Sequence, residues 1–209
     1  RGAMNGWGTD DTLTYMGAGV YRADISLAAG NHEFKVASDD WSTVDYGSGE
    51  SDAAVTVEVA ELLAVSGANM TFEATEATTY AFIFDASNRD EITLTVFKSE
   101  MFAGNTVYIR GGMNGWGEVD AFSYQGMSTY TVDIALEVGD NEFKIATGDW
   151  STVDLGAAAE QENVSLDIGQ VLASKGANMH LDITEAGTYK FTVTGPDPKA
   201  PLFSVSKVN

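Results

Sequence analysis

The chain has 209 residues, with 31 acidic and 11 basic side chains, a net charge of −20 and no cysteine. The charge excludes a nucleic-acid partner, because phosphates need a basic surface, and it suits a neutral partner. The absence of cysteine excludes a disulfide framework, and no apolar run approaches the ~20 residues of a membrane span, so we expect no membrane contact.

The first predicted element is a turn, because Asn-Gly favours a positive φ, and this turn presents Trp7. Apolar residues then alternate with polar or small ones from Tyr21 to Leu27, which is the period of a strand with one buried face. Further strands are predicted around EFK at 33–35 and at 69–74, 79–84 and 92–97. Only AELLAVS at 60–66 reads as helical, for a turn or two at most.

All these elements recur 109 residues later without a gap. RGAMNGWG at 1–8 returns as RGGMNGWG at 110–117. A period of this length indicates two homologous domains rather than a solenoid. We expect these domains at 1–98 and 105–209, with a short linker between them. The second begins with a strand, TVYIRG at 106–111, which in the first copy is cut short or supplied from upstream.

The second copy predicts the same strands. Residues Tyr130, Val132, Ile134 and Leu136 alternate with polar ones, and Phe143 and Ile145 are expected to face inward in the next strand. GQVLASK at 169–175 is the second helix-like piece. About seven short strands per copy predict an all-β fold of two tandem immunoglobulin-like β-sandwiches.

A lysine and two tryptophans of each copy lie outside the inward pattern. Lys35 lies between Phe34 and Val36 and therefore points away from the core, while Trp7 and Trp41 lie in polar loops. The equivalent residues of the second copy are Trp116, Lys144 and Trp150. Two readings remain open: these indoles plug the ends of the sandwich beside a solvated lysine, or they are exposed for binding.

An exposed indole matches a sugar ring, whose apolar C–H face can stack on it. Lysine and asparagine side chains can then form hydrogen bonds with the hydroxyl groups. Asn69 and Asn178, each in a repeated GAN, are candidates for this role, or are turn residues in the left-handed conformation.

The motifs RGxMNGWG, EFK, DDW or GDW and GAN together resemble the starch- and glycogen-binding β-sandwich modules of carbohydrate-binding module family 48 and its relatives. These relatives include the glycogen-binding domain of the AMP-activated protein kinase β-subunit. The resemblance extends over nearly all of both copies, and it is closest to the tandem starch-binding modules of bacterial pullulanases and amylases. The chain departs from family 48 in a longer segment between the second tryptophan and the asparagine.

The resemblance implies a set of ligand-binding residues in each copy. In these sets the tryptophans stack on sugar rings, and the lysine and asparagine bind hydroxyl groups. To each set we add, from its position close after the second tryptophan, an aspartate as a further candidate for binding a hydroxyl group. The residues are Trp7, Lys35, Trp41, Asp45 and Asn69 in the first copy, and Trp116, Lys144, Trp150, Asp154 and Asn178 in the second.

We therefore expect non-catalytic binding of α-glucan, meaning starch, glycogen or maltooligosaccharides, by an accessory piece of a larger, secreted or cell-surface amylolytic enzyme. The alternative is a pair of structural or adhesive spacer domains that bind no sugar. Catalysis is disfavoured, because His32 and His180 occupy non-equivalent positions and neither copy has a nucleophile constellation. We expect no cofactor and no metal site, since loop acids such as those of DDTLTYMG and SNRDE are usually solvated.

Overall fold

The computed structural model describes residues 1–50, 53–195 and 197–208. The chain divides into two compact units, Arg1–Ser99 and Glu100–Asn209. Asn209, the predicted end of the second domain, lies outside the described residues. Apart from one short 3₁₀ turn in each unit, the regular structure of the described residues is β-strand, and the predicted all-β fold class is confirmed.

The described part of the first unit contains a 3₁₀ turn at Ala3–Asn5 and short strands. They are β1 (Thr14–Gly17), β2 (Val20–Leu27), β3 (Gly30–Phe34), β4 (Val36–Ala37), β5 (Asp45–Ser48), β6 (Ala54–Val55), β7 (Glu61–Val65), β8 (Met70–Ala74), β9 (Thr78–Asp85) and β10 (Thr93–Lys98). One sheet has the order β1-β2-β9-β10-β7-β5-β4, and the other is β3-β8-β6, whose β6–β8 pair is parallel. The two sheets meet through aromatic contacts such as Phe34 against Phe82, with ring centroids 5.3 Å apart.

The second unit repeats this plan and adds strands at its start. Its strands are β11 (Val107–Gly111), β12 (Asp120–Ala121), β13 (Ser123–Gly126), β14 (Thr129–Leu136), β15 (Gly139–Thr147), β16 (Asp154–Ala157), β17 (Asn163–Val164), β18 (Gln170–Ser174), β19 (Met179–Ile183), β20 (Gly187–Thr194) and β21 (Leu202–Lys207). A 3₁₀ turn at Gly112–Asn114 follows β11.

One long strand, β15, connects the two layers of the second unit. Its first part pairs with β19 and its last part with β16, while β11 pairs along 143–147. In the first unit the matching stretch is divided at Lys35 into β3 and β4. The repeated EFK therefore lies where a strand passes from one sheet to the other.

The alternation predicted from the sequence describes the core of the second unit. Phe143 and Ile145 are fully buried, and Phe143 packs edge-on against Phe191 with ring centroids 5.4 Å apart. Tyr189 is also buried, and its hydroxyl donates to the carbonyl oxygen of Glu185, four residues upstream, at 2.7 Å. Tyr80 makes the same bond to Glu76 at 3.2 Å, and this tyrosine corner is typical of immunoglobulin-like sandwiches.

The helical reading of AELLAVS and GQVLASK is wrong, because both are strands, β7 and β18. Each lies between two partner strands, which satisfy its backbone hydrogen bonds. Leu63 is buried whereas Leu62 and Val65 are exposed. Five residues are too few for a stable helix, so pairing in the sheet decides the conformation.

Part of the predicted linker also belongs to a core. Phe102 is buried in the second unit, where its ring packs against Tyr130 with centroids 4.9 Å apart. The N–H of Phe102 donates to the Tyr130 hydroxyl at 3.2 Å, and burial raises the pKa of that hydroxyl to about 12. The mild polarity of 98–105 did not reveal this contact.

The glycine of each GAN motif allows two backbone segments to touch. A Cβ on Gly176 would lie 2.4 Å from the Ala157 oxygen and 2.6 Å from the Gly156 carbonyl carbon. Gly67 is equally close to Gly47 and Ser48. This approach lets Ala157 and Ala177 exchange two backbone hydrogen bonds, and it fixes the position of the following asparagine.

We predict that Gly176→Ala destabilises the second unit by about 1–3 kcal/mol, because the methyl group meets backbone atoms that cannot move aside. Thermal unfolding followed by near-UV circular dichroism should show a lower Tm. Gly112→Ala is the matched control, since a Cβ at that position would have open space within 4 Å and the first copy carries Ala3 there. Equal Tm values for the two variants would contradict the steric account.

Candidate functional site

The first tryptophan of each unit lies at the end of a tight loop. Asn114 Oδ1 accepts from Gly111 N at 3.0 Å, and Asn114 Nδ2 donates to the Ile109 oxygen and to Asp120, both at 2.8 Å. Gly115 then adopts φ 62°, as the Asn-Gly signal predicted, and Trp116 follows at φ 61°. In the first unit Trp7 has φ 63°. The loop therefore forces a bulky residue into the left-handed region, which is a strained conformation.

The second tryptophan of each unit lies in a loop built around one aspartate. Asp40 accepts hydrogen bonds from the hydroxyl groups of Ser38, Ser42 and Thr43 and from the backbone N–H groups of the last two, at 2.5–3.1 Å. Trp41 has φ 57° within this loop. The serine and threonine of the repeated DWSTVD thus serve to close the loop around the carboxylate.

The two loops bring their indoles together. The ring centroids of Trp7 and Trp41 are 6.0 Å apart with an angle of 39° between the planes, and those of Trp116 and Trp150 are 6.1 Å apart with the same angle. Trp41 is 38% exposed and the other three are partly buried. None of them fills the interior of a sandwich, and we call each couple an indole pair.

An arginine that sequence reasoning missed holds each indole pair. The guanidinium carbon of Arg110 lies 4.1 Å from the ring centroid of Trp150. Its nitrogens donate to the carbonyl oxygens of Trp116, Thr147 and Gly148 at 2.7–3.1 Å, so one buried cation binds both loops. Arg1 does the same in the first unit, with its guanidinium carbon 4.4 Å from the Trp41 ring.

The predicted lysines and aspartates are partners of one another. Lys35 forms an ion pair with Asp45, and Lys144 forms one with Asp154. The Lys35 and Lys144 side chains are only 10% and 12% exposed. The alternation argument placed these lysines outside the core, but it gave no sign of the ion pair, because the partners come from different strands.

Each asparagine directly precedes the strand that pairs with the EFK strand. Asn69 directly precedes β8, whose first residue, Met70, pairs with Phe34 of β3. Asn69 Nδ2 donates to Glu33 Oε1 at 2.9 Å, and Asn178 does the same to Glu142 at 2.7 Å. The asparagine of GAN is thus held on the outward face beside EFK.

The loop carboxylates stay ionised well into the acidic range. The hydroxyl of Ser38 contributes most to holding the pKa of Asp40 well below its usual range, with Thr43 and Ser42 adding to it. The hydroxyl groups of Ser151, Thr147 and Thr152 lower the pKa of Asp149 in the same way. Both carboxylates are solvent-exposed, so hydrogen bonding and not burial causes the shift.

A metal-binding cluster and a membrane-spanning helix are both absent from the part of the chain that the structure describes. It contains no cluster of three or more histidine and acidic side chains arranged to hold a metal ion. Within the same residues, no helix has the length and apolar character required to traverse a bilayer.

Comparison with known proteins bears on the first unit. The family model of the pullulanase X25 domain matches residues 2–90. The resemblance to the modules of pullulanases is therefore confirmed, with nearly all of the first unit inside the match. A search of curated proteins finds no match. Among solved structures, the ligand-induced structure of AmyP-SBD is similar, with a TM-score of 0.40 and 22% identity over 51% of this chain and 74% of that chain.

We predict that Arg110→Lys destabilises the second unit by about 2 kcal/mol, because an ammonium group cannot reproduce the planar fork that reaches both loops. Tryptophan fluorescence should show greater quenching by acrylamide as the indole pair loosens. Lys190→Arg, at an exposed position of β20, is the control for replacing one type of basic side chain by the other. An unchanged Tm for Arg110→Lys would contradict the proposed role of the guanidinium.

A pH dependence follows from the lowered pKa of Asp149. A carboxylate with a depressed folded-state pKa stabilises the fold above its unfolded pKa, here ordinarily 3.8, and loses that effect as the pH falls toward the folded value. The Tm of Asp149→Asn should therefore be lower than that of the parent by a constant amount from pH 8 to about pH 5. Below about pH 4 the gap should narrow, and a gap that widens with acid would contradict the assignment.

Proposed function

We propose that each unit binds α-glucan chains, as in starch, glycogen or maltooligosaccharides, and does not hydrolyse them. The observation that carries this proposal is the indole pair, which both copies hold, at 6.0 and 6.1 Å with the same 39° angle. Partly exposed indoles on strained backbone, fixed from behind by a cation, favour a binding surface over core packing.

The arginine determines which indole face meets the ligand. Because a guanidinium occupies one face of Trp41 and of Trp150, a sugar stacks on the opposite face. Each stacked ring removes about 100 Å² of apolar surface from water, which contributes roughly 2 kcal/mol. Fixed side chains lose little conformational entropy on binding, so more of this energy appears as affinity.

The angle between the indoles favours a curved ligand. Two rings inclined by 39° can each lie flat on successive sugars only when those sugars are themselves inclined. An α-linked glucan winds into a helix and meets this condition, whereas a flat β-linked chain would need coplanar rings. The family match to the pullulanase X25 domain supports the same choice.

We propose that the polar residues of the EFK and GAN motifs complete the site. The amide nitrogen of Asn69 donates to Glu33, so its amide oxygen is the acceptor that we propose for a sugar hydroxyl. Lys35 and Asp45 are proposed to bind hydroxyl groups through their ion pair. A net charge of −20 does not oppose a neutral saccharide, but it would repel an anionic polymer.

The affinity of one site is expected to be modest. Stacking on one or two rings, with a few hydrogen bonds, leaves a net of about −5 to −6 kcal/mol, or a Kd on the order of 0.1 mM. Two sites in one chain bind a polymer more tightly, by ~10²-fold, when both engage it. In this proposal the chain anchors a secreted or cell-surface amylolytic enzyme to its substrate.

We predict that replacing Trp41 and Trp150 together by alanine lowers the affinity for β-cyclodextrin by about 30-fold or more, because each site loses a stacked ring. Isothermal titration calorimetry should give two sites per chain for the parent and one for each single variant. A cello-oligosaccharide should bind to none of these proteins.

Tyr15→Ala is the control, since Tyr15 is an exposed aromatic residue on β1 that contacts Tyr21 and no tryptophan. It should bind like the parent, and all variants should keep the β-sheet circular dichroism spectrum. If the parent chain binds neither β-cyclodextrin nor insoluble starch, the units are spacers and the proposal fails.

A further inference from the structure

A glutamate of the second unit lies where its two tryptophan loops meet. Glu118 comes two residues after Trp116. A Cβ on Gly148, two residues before Trp150, would lie 2.6 and 2.8 Å from the two carboxylate oxygens of Glu118. Because glycine has no Cβ, this carboxylate can lie directly against the backbone of the Trp150 loop. The glycine thus makes room for an acidic side chain that comes from the other loop.

The first unit has its acidic residue on the opposite loop. The 109-residue repeat matches Glu118 with Thr9, which carries no charge. It matches Gly148 with Asp39, whose carboxylate is bonded directly to the Cβ that Gly148 lacks. Each unit therefore has a carboxylate at the same contact between its tryptophan loops, but takes it from a different loop.

The backbones that carry these residues correspond in the two units. Arg1 donates to the carbonyl oxygens of Gly8 at 3.2 Å and of Asp39 at 2.9 Å, so one guanidinium group joins the two loops of the first unit at this point. Arg110 donates to the carbonyl oxygen of Gly148 at 3.1 Å. The carbonyl oxygens of Asp39 and Gly148 thus have the same kind of partner, and the two positions are structurally equivalent.

Neither carboxylate is engaged by the protein. The hydrogen bonds of the Arg110 guanidinium all go to backbone carbonyl oxygens. The neighbouring Asp40 and Asp149 are occupied by hydroxyl groups of their own loops. In the described ranges of the chain, by contrast, no group donates a hydrogen bond to the carboxylate of Asp39 or Glu118 or forms an ion pair with it, and both residues are exposed. Their oxygens are therefore available to a ligand.

We propose that Asp39 and Glu118 are ligand-binding residues that raise the affinity of the two sites for glucose units. This inference rests on the proposed function and adds one residue to each site. The carboxylate accepts hydrogen bonds from the hydroxyl groups of a bound sugar, and its two oxygens can accept from two adjacent hydroxyls at once. A hydrogen bond to an ionised acceptor is roughly twice as strong as a neutral one, so a single carboxylate makes a measurable difference.

The first test moves the carboxylate from one loop of the second unit to the other. All variants carry Trp41→Ala, so that only the second site binds β-cyclodextrin. In isothermal titration calorimetry, Glu118→Thr should lower the affinity by about 10-fold. Adding Gly148→Asp should restore most of it, because the carboxylate returns to the same contact from the other loop. Gly148 does not have a positive φ, so its backbone accepts an aspartate.

The second test makes the opposite exchange in the first unit, with Trp150→Ala to silence the second site. Asp39→Gly should lower the affinity by about 10-fold, and adding Thr9→Glu should restore most of it. Glu137→Thr in the Trp41→Ala chain is the control for loss of one negative charge. Glu137 is exposed and precedes β15, whereas the Trp150 loop follows the other end of that strand. The control should bind like the Trp41→Ala chain.

The outcomes separate this inference from the proposed function. Loss and recovery of affinity at an unchanged Tm support the inference. Binding that stays the same in Glu118→Thr and Asp39→Gly overturns it and leaves α-glucan binding in place, as does a loss that the transferred carboxylate does not restore. If the Tm falls and recovers together with the affinity, the carboxylate acts by balancing the charge of the arginine, and the inference is again overturned. If the parent chain does not bind β-cyclodextrin, the proposed function fails and this inference with it.

Discussion

The structure of both candidate sites depends on a guanidinium group enclosed by backbone carbonyls. Arg110 lies behind the indole of Trp150 and donates to carbonyl oxygens of both tryptophan loops, and Arg1 makes the equivalent contacts in the first unit. A planar cation with donors on several edges can satisfy two loops at once, which an ammonium cannot. Because the bonds are charge-assisted, they hold the two indoles of each unit at a defined distance and angle.

The polar composition of the loops follows from the same requirement. A tryptophan in the left-handed region is strained, and a loop keeps that conformation only when its neighbours enforce it. Asp149 does so by accepting from Thr147, Ser151 and Thr152, and Asp40 does so in the first unit. The hydrophilic residues around Trp41 and Trp150 are therefore compatible with a partly exposed tryptophan in the same loop. They are the means by which a polar loop presents it.

The two copies show how cores built from the same pattern differ in burial. Both place aromatic residues of facing sheets in contact, and both use a tyrosine corner and a glycine contact at the GAN loop. Ile134 is buried in one cluster with Val107 and Ile109 of β11, whereas Ile25 packs against the core of the first unit from a partly buried position. Burial at a given position thus depends on a segment far from it in sequence, which is why equal patterns do not guarantee equal packing.

The sequence by itself determined the repeat, the all-β class, the inward set around Phe143 and Ile145, and the left-handed turn at Asn-Gly, because periodicity and turn chemistry are local properties. Only the tertiary structure decided that 61–65 and 170–174 are strands, since neighbouring strands override a weak local preference. It likewise decided that Lys35 pairs with Asp45 and that Arg110 lies on Trp150. Alternation states the face on which a side chain lies, but a contact requires two distant segments to meet, and that is fixed by how the strands pack together.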